Sequence, residues 1–208
     1  MPNEGPRLTP KFTRALTYAS RLHGGKLRKK TRIPDIDHIL GVTSIALEYG
    51  ANETEAIAAL LHDAAEDAGG RQRLNDIRRK FGNAVAKIVD GCSDTYDDPK
   101  PPWLDRKKKY VRHVRDAAVS TKLVSASDKL QNVRSLLRNY RNEGDRLWKR
   151  YNCGKEGALW YYRALVNAFT GNRIKPLVRD LDFAVRELER VANHGTKVTK
   201  PPGNRPSR

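Results

Sequence analysis

The most informative stretch of this chain is IAALLHDAAED (residues 57–67), in which an apolar segment becomes acidic without a break. Helical spacing places His62 and Glu66 on one face and Asp63 and Asp67 on the adjoining face. Ionisable groups at the end of a buried helix are strongly unfavourable unless each has a partner. A metal ion, with two further carboxylates beside it for proton transfer, would satisfy all four side chains. The stretch therefore predicts a metal-dependent hydrolase.

Signals for the start of a helix recur along the rest of the chain. Thr9 followed by Pro10 is typical of a helix N-terminus, and Asn52 with Glu55 three residues later forms the pattern of a capping box. The predicted helices cover residues 10–23, 35–49, 52–67, 72–80, 83–92, 103–117, 121–140, 156–170 and 173–193. No alternating strand pattern of note and no internal repeat accompany them.

These patterns predict an all-α fold, a compact single-domain helical bundle over residues 1–194. Residues 195–208 lack apolar content and are predicted to form a basic, disordered tail. No apolar run is long enough to span a bilayer, and the first residues contain no secretory h-region, so we expect a cytoplasmic protein. Cys92 and Cys153 match no metal-ligand spacing, and we expect both to be reduced thiols.

The chain is strongly basic, with 41 Lys and Arg residues against 24 acidic residues and a net charge of +17. Such an excess indicates an anionic partner. Nucleic acid, a membrane surface and a polyphosphate all satisfy that condition, so the charge alone does not choose among them.

Two residues from other predicted helices extend the candidate metal site. His38 lies in IPDIDHILGVTSIAL (residues 33–47), and Asp128 interrupts the amphipathic pattern of KLVSASDKLQNVRSL (residues 122–136). Helix bundles often direct such side chains from separate helices to one point. Two imidazoles and two carboxylates, with positions left for water, suit Mn²⁺, Fe²⁺ or Zn²⁺.

This order of residues, His, then His-Asp, then Asp, resembles the HD-domain phosphohydrolases, whose fold is all-helical. The resemblance is closer still to the RelA/SpoT-type alarmone hydrolases, especially the small stand-alone ones. The stretches that match in order are HGGKLRK (23–29), PDIDH (34–38), ALLHDAAED (59–67), FGNAV (81–85), DRKKKY (105–110) and DKLQNVR (128–134). The chain departs from that family at Asp35, where Tyr is usual, and at Ser125, where relatives can carry Lys.

The resemblance implies hydrolysis of the 3′-pyrophosphate of guanosine tetra- and pentaphosphate, which gives GDP or GTP and pyrophosphate. Adenosine forms of the same alarmones stay open as substrates. The implied site residues fall into three groups. His38, His62, Asp63 and Asp128 would bind Mn²⁺, with Zn²⁺ or Fe²⁺ as alternatives; Glu66 and Asp67 would transfer protons; and Lys26, Arg28, Lys29, Arg106, Lys107 and Asn132 would contact the substrate.

Other functions stay open at this point. The same metal site could serve a phosphohydrolase that acts on another nucleotide or on a phosphorylated cofactor. Nucleic-acid binding is suggested by the net charge, but no recognised binding motif supports it, so it would be a secondary property of the tail. The aromatic residues 160–162 are predicted to pack in the core or at an oligomer contact rather than against a base. Nothing after residue 140 offers a second nucleotide site, so we expect degradation of the alarmone without synthesis.

Overall fold

The computed structural model describes residues 7–28, 31–67, 69–97 and 99–194, with only the backbone described at Asp67. The predicted tail and Lys29 lie outside the described residues. Within them the regular structure is helical, and one isolated β-bridge joins Leu27 to Pro34. The all-α prediction is confirmed. The α-helices are α1 (Pro10–His23), α2 (Ile36–Glu48), α3 (Glu53–Leu61), α4 (Ala64–Asp67), α5 (Gly70–Phe81), α6 (Asn83–Cys92), α7 (Trp103–Asp116), α8 (Val119–Glu143), α9 (Gly154–Ala168) and α10 (Lys175–His194).

Two short 3₁₀ helices, Gly144–Arg150 and Asn172–Ile174, precede α9 and α10. No described helix combines the length and apolar character that crossing a membrane requires.

Both predicted helix starts are confirmed. The Thr9 side chain accepts a hydrogen bond from the Lys11 N–H, and Pro10 occupies the first turn of α1. At α3 the Asn52 side chain accepts from the Glu55 N–H at 3.0 Å, and Glu55 accepts from the Asn52 N–H at 2.9 Å. These reciprocal bonds satisfy backbone donors that the first turn of a helix leaves unpaired.

The prediction of one continuous helix over residues 52–67 is wrong. Helix α3 ends at Leu61, a turn holds His62 and Asp63, and α4 begins at Ala64. The His62 imidazole donates from Nδ1 to the Ala59 carbonyl at 2.9 Å. That side-chain bond engages the acceptor that an uninterrupted helix would offer to the N–H of residue 63. The interruption lets two consecutive side chains approach the same point, whereas a helix would direct them about 100° apart.

Helix α8 is the central element of the packing. It contacts α2, α3, α6 and α10. Its buried face is mostly apolar, but Ser125, Ser127 and Asp128 are also buried on it. Because α2 and α3 pack together and against α8, the residues at the start of α2 and the end of α3 lie near the middle of α8.

A buried ion pair fastens the start of α3 to the segment before α10. Glu55 is 1% exposed, and both of its carboxylate oxygens accept from Arg173 at 2.5 Å. Burial tends to raise the pKa of Glu55, but the Arg173 guanidinium outweighs it and lowers that pKa below 4.5. The pair joins residues 118 positions apart in the chain.

We predict that Glu55→Gln lowers the free energy of unfolding by about 2 kcal/mol at neutral pH, because the bidentate charge-assisted contact is lost while the capping box is kept. The loss is smaller than for a fully buried pair, since the Arg173 side chain is 41% exposed and can return to water. Urea denaturation at about pH 7 measures this difference.

The difference in the free energy of unfolding between the wild type and Glu55→Gln should depend on pH. Because the folded pKa of Glu55 is lowered, its stabilising effect is complete above pH 4.5 and declines as the pH falls through the folded value. The two proteins should therefore approach equal stability only below the lowered folded pKa of Glu55, where the wild-type carboxyl is also neutral. A gap that stays constant with pH would contradict the assignment of the effect to the charged pair.

Candidate metal centre and adjoining cleft

Three buried side chains from different helices meet at one point. His38 lies in the first turn of α2, His62 directly after α3, and Asp128 in the middle of α8, and none is more than 6% exposed. One donor atom from each lies within 4.8 Å of the others. Separations of this size are those of groups that can surround a single ion.

Asp63 completes the set from the solvent side. Its two carboxylate oxygens lie 3.4 Å from His38 Nε2 and 3.2 Å from His62 Nε2. Its side chain is 35% exposed, far more than that of Asp128. The structure therefore brings together all four of the predicted metal ligands, and Asp63 forms the open edge of the cluster.

The hydrogen bonds of His62 fit a metal ligand. Its Nδ1 donates to the Ala59 carbonyl, so that in the neutral ring, the form that binds a metal ion, the lone pair of Nε2 is directed into the cluster. Within the described part of the chain Nε2 is buried and makes no hydrogen bond, although carboxylate oxygens of Asp63 and Asp128 lie 3.2 and 3.8 Å away. His38 Nε2 also lies 3.2 Å from the Asp128 Oδ1 atom. A divalent cation between these atoms would satisfy both the imidazoles and the carboxylates.

The electrostatics of the cluster also favour a cation. Burial disfavours the charged form of His62, but Asp63 and Asp128 outweigh it and raise the pKa of His62 to about 9. The pKa of His38 is raised in the same way, against burial, by Asp128 and Asp63. Burial likewise opposes ionisation of Asp128, but Lys129 and the two histidines hold its pKa well below the usual range. Two carboxylates in a buried site thus require nearby positive charge.

Asp128 makes two further contacts, both with residues of α8. The Lys129 ammonium pairs with Oδ2, and the Asn132 amide donates to Oδ1 at 2.5 Å. The Asn132 side-chain oxygen Oδ1 in turn accepts from Arg28 Nη2 at 3.0 Å. A chain of contacts therefore runs from the metal cluster to the segment between α1 and α2.

A cleft of about 450 Å³ adjoins the cluster and is shared by α7, α8, α9 and the α1–α2 connection. Four predicted substrate contacts line it: Arg28, Arg106, Lys107 and Asn132. Lys129, Arg138 and Arg150 add positive charge that the sequence reasoning had not assigned to a site. The described lining contains six Lys and Arg residues and no Asp or Glu.

Other predicted contacts lie elsewhere. Lys26 is exposed and does not line the cleft. Its carbonyl accepts from the Asp35 N–H at 2.9 Å, which helps to shape the connection that carries Arg28. Lys29 and the Asp67 side chain lie outside what the structure describes, so their predicted roles stay predictions.

Glu66 lies beyond the cluster and contacts none of the four candidate ligands directly in the described bonds. Its Oε1 atom accepts from Lys100 Nζ at 2.9 Å, and Oε2 accepts from the Asp94 N–H at 3.3 Å. Its side chain is 22% exposed. The carboxylate is therefore held in place while it remains open to water.

The two departures from the family pattern have local partners. The Asp35 carboxylate accepts from His23 Nδ1 at 2.6 Å, and this bond joins the last residue of α1 to the residue before α2. Ser125 hydrogen-bonds to Tyr110 at 2.6 Å in the buried interior. Neither residue lies among the candidate metal ligands.

The prediction that the aromatic residues 160–162 pack in the core is confirmed for Tyr161, which is buried in the core, and for Tyr162, which packs against it, but not for Trp160. Tyr161 and Tyr162 line the cleft, whereas Trp160 is 38% exposed outside it. Tyr161 is also packed against Trp103 with ring centroids 6.0 Å apart, and Lys107 Nζ lies 5.0 Å from its ring centroid. Tyr161 and Tyr162 therefore belong both to the core and to the wall of the cleft.

The chain matches a protein-family model described as the HD domain over residues 15–151. It is 32% identical over 177 residues to a GTP pyrophosphokinase of Streptomyces coelicolor, a match that covers 83% of this chain. The chain spans about a fifth, 19%, of the length of that relative.

A second relative is of more similar size. The chain is 35% identical over 127 residues to the guanosine-3′,5′-bis(diphosphate) 3′-pyrophosphohydrolase MESH1 of Xenopus tropicalis, covering 60% of this chain and 68% of that protein. Among solved structures, a metazoan ortholog of SpoT, described as hydrolysing ppGpp, superposes with a TM-score of 0.71. That match has 23% sequence identity and covers 88% of this chain and 98% of the other, so it establishes a shared fold.

We predict that Asp63→Ala lowers the affinity for Mn²⁺ by at least about 100-fold, because it removes a charged donor from the open edge of the cluster. His113→Ala is the matched control, since His113 is exposed and its ring contacts the Gly91 carbonyl. Isothermal titration calorimetry of the metal-free proteins measures both affinities. Equal affinity in the two variants would rule out Asp63 as a ligand.

Proposed function

The chain belongs to the HD domain family, and we propose that it is a metal-dependent hydrolase that releases pyrophosphate from the 3′ position of purine nucleotide alarmones. The observation that carries this proposal is the position of the four-residue cluster beside a cleft lined by six cations and no described carboxylate. The name of the Xenopus relative and the fold shared with the SpoT ortholog support the same substrate class.

In this proposal His38, His62, Asp63 and Asp128 hold the divalent ion. The Nε2 atom of His62, which makes no hydrogen bond among the described residues, and the nearby carboxylates of Asp63 and Asp128 fit such an ion. When bound, the ion supplies a Lewis acid that polarises a phosphoryl oxygen and makes water more acidic. We propose Mn²⁺ as the native ion, with Zn²⁺ or Fe²⁺ as alternatives that the same ligand atoms can bind.

The proton transfers are assigned to the acidic residues that follow the cluster. Water attacks the phosphorus atom attached to the 3′-oxygen, the bond between that phosphorus and oxygen breaks, and pyrophosphate leaves. Glu66 accepts the proton of the attacking water, for which its fixed position and partial exposure are suited. Asp67 is proposed from the sequence pattern to supply the proton to the departing 3′-oxygen.

The cations of the cleft bind the phosphates. Arg28 is connected to the cluster by two hydrogen bonds, one from Arg28 to Asn132 and one from Asn132 to Asp128. A guanidinium can bind two phosphate oxygens at once. Burial tends to lower the pKa of Lys129, but its contact with Asp128 raises it well above the usual value, so that ammonium stays charged at the border between the ion and the cleft.

The substrate class is tested with purified, Mn²⁺-loaded protein and a panel of nucleotides. We expect pyrophosphate release from guanosine or adenosine carrying a 3′-pyrophosphate and none from nucleotides with a free 3′-hydroxyl. Turnover of simple monophosphates alone would instead favour a phosphohydrolase of another nucleotide or phosphorylated cofactor. Binding of DNA with a steep salt dependence and no turnover would favour nucleic-acid binding.

We predict that Glu66→Gln lowers kcat by about 10²- to 10⁴-fold, the usual contribution of a general base, while the affinity for Mn²⁺ stays within about twofold of wild type. The side chain keeps its size and one of its two contacts, because the amide has a single acceptor oxygen for either Lys100 Nζ or the Asp94 N–H, and it loses the ability to accept a proton. Steady-state kinetics and metal titration separate the two effects. A parallel loss of metal and turnover would show that Glu66 acts as a ligand instead.

We predict that Arg28→Ala raises KM by about tenfold or more and changes kcat less, because one charge-assisted phosphate contact is removed. The control is Arg32→Ala on the same connection, because Arg32 is exposed and does not line the cleft. If both variants raise KM equally, the effect comes from the net charge of the connection and not from a contact in the cleft.

A further inference from the structure

Asp94 is a buried carboxylate that holds two cations of the cleft. It follows α6, and its side chain is only 4% exposed. A single atom, Oδ2, accepts from Arg106 Nη1 at 2.5 Å and from Lys107 Nζ at 2.6 Å. Both cations lie near the N-terminus of α7 and line the cleft.

Without this carboxylate the two cations would separate. Consecutive residues of a helix point about 100° apart, and two positive charges repel each other. Oδ2 brings both to one point. Burial tends to raise the pKa of Asp94, but Lys107 and Arg106 outweigh it and lower that pKa, so the carboxylate is ionised and the group of three carries a net positive charge.

The remaining contacts of Asp94 separate its role from that of an ordinary structural carboxylate. Its other oxygen, Oδ1, is buried and makes no hydrogen bond within the described residues. The Asp94 backbone N–H, not its side chain, contacts Glu66. Among the described residues the side chain therefore acts on Arg106 and Lys107 alone, and the contact with Glu66 persists when the side chain is changed.

We propose that Asp94 is a positioning residue that gathers Arg106 and Lys107 into a two-cation site for the pyrophosphate group of the substrate. This inference rests on the proposed function, because that function supplies the ligand. The site binds free pyrophosphate as well, since the product carries the same group. Asp94 touches neither the substrate nor the metal ion.

The test measures the affinity of inorganic pyrophosphate for protein loaded with one equivalent of Mn²⁺, in a double-mutant cycle. Asp94→Asn should weaken binding by about tenfold or more, the size of one charge-assisted contact. In a background of Arg106→Gln and Lys107→Gln, the same substitution should change the affinity by less than about twofold, because Asp94 acts only through those two residues. An equal loss in both backgrounds, or no loss in either, would overturn the proposal.

Two further variants control for charge and folding. Asp105→Asn removes an exposed carboxylate next to Arg106 and should leave the affinity within about twofold of wild type. Asp94→Glu keeps the charge and should recover part of the affinity. If Asp94→Asn does not fold, Asp94→Glu takes its place in the cycle. A several-fold loss of pyrophosphate affinity in the wild-type background, with no loss in the background of Arg106→Gln and Lys107→Gln, supports the proposal. Any other pattern contradicts it.

Kinetics separate this inference from the proposed function. Asp94→Asn should raise KM in parallel with the loss of pyrophosphate affinity, while kcat stays within about threefold because the N–H contact to Glu66 is kept. A wild-type protein that hydrolyses no 3′-pyrophosphate but binds pyrophosphate in an Asp94-dependent way would contradict the function alone. Hydrolysis with Asp94-independent affinity would contradict the positioning role alone.

Discussion

The buried carboxylate of Asp128 is the constraint around which the rest of the site is arranged. A carboxylate in the interior of a helix bundle is strongly unfavourable unless positive charge and hydrogen-bond donors surround it. Lys129 pairs with one oxygen, and Asn132 and His38 approach the other. The packing of α2 and α3 against α8 supplies the histidines, and the hydrogen bond from Asn132 to Arg28 extends the arrangement into the cleft.

The interruption of the helix at His62 and Asp63 connects local backbone structure with chemistry. One bond, from the imidazole to the Ala59 carbonyl, both occupies a helical acceptor and fixes the ring so that its second nitrogen faces the cluster. Adjacent residues thereby reach the same site, one buried and one at its open edge. The following turn, α4, places Glu66 just outside, where Lys100 and the Asp94 N–H hold it beside solvent.

Much of this arrangement could be predicted from residues whose chemistry is unusual for their position. His38, His62 and Asp128 interrupt apolar helical faces, and the capping box at Asn52 and Glu55 marks where α3 begins. The structure brings the first three residues together and confirms the cap. Lys129 and Asp94 were not predicted as site residues, because charged residues are common in basic helices and turn-rich loops. Nothing in their local sequence distinguishes a buried ion pair from an exposed one.

The sequence by itself determined the helical class, the starts of α1 and α3, and the kinds of donor available for a metal ion, because these follow from periodicity and side-chain chemistry. Only the tertiary structure decided that the helix breaks at His62, that Tyr161 and Tyr162 line the cleft, and that Arg106 and Lys107 share one oxygen of Asp94. The physical reason is that periodicity specifies which face of a helix is buried, whereas the neighbours of that face depend on how helices pack across long separations in the chain.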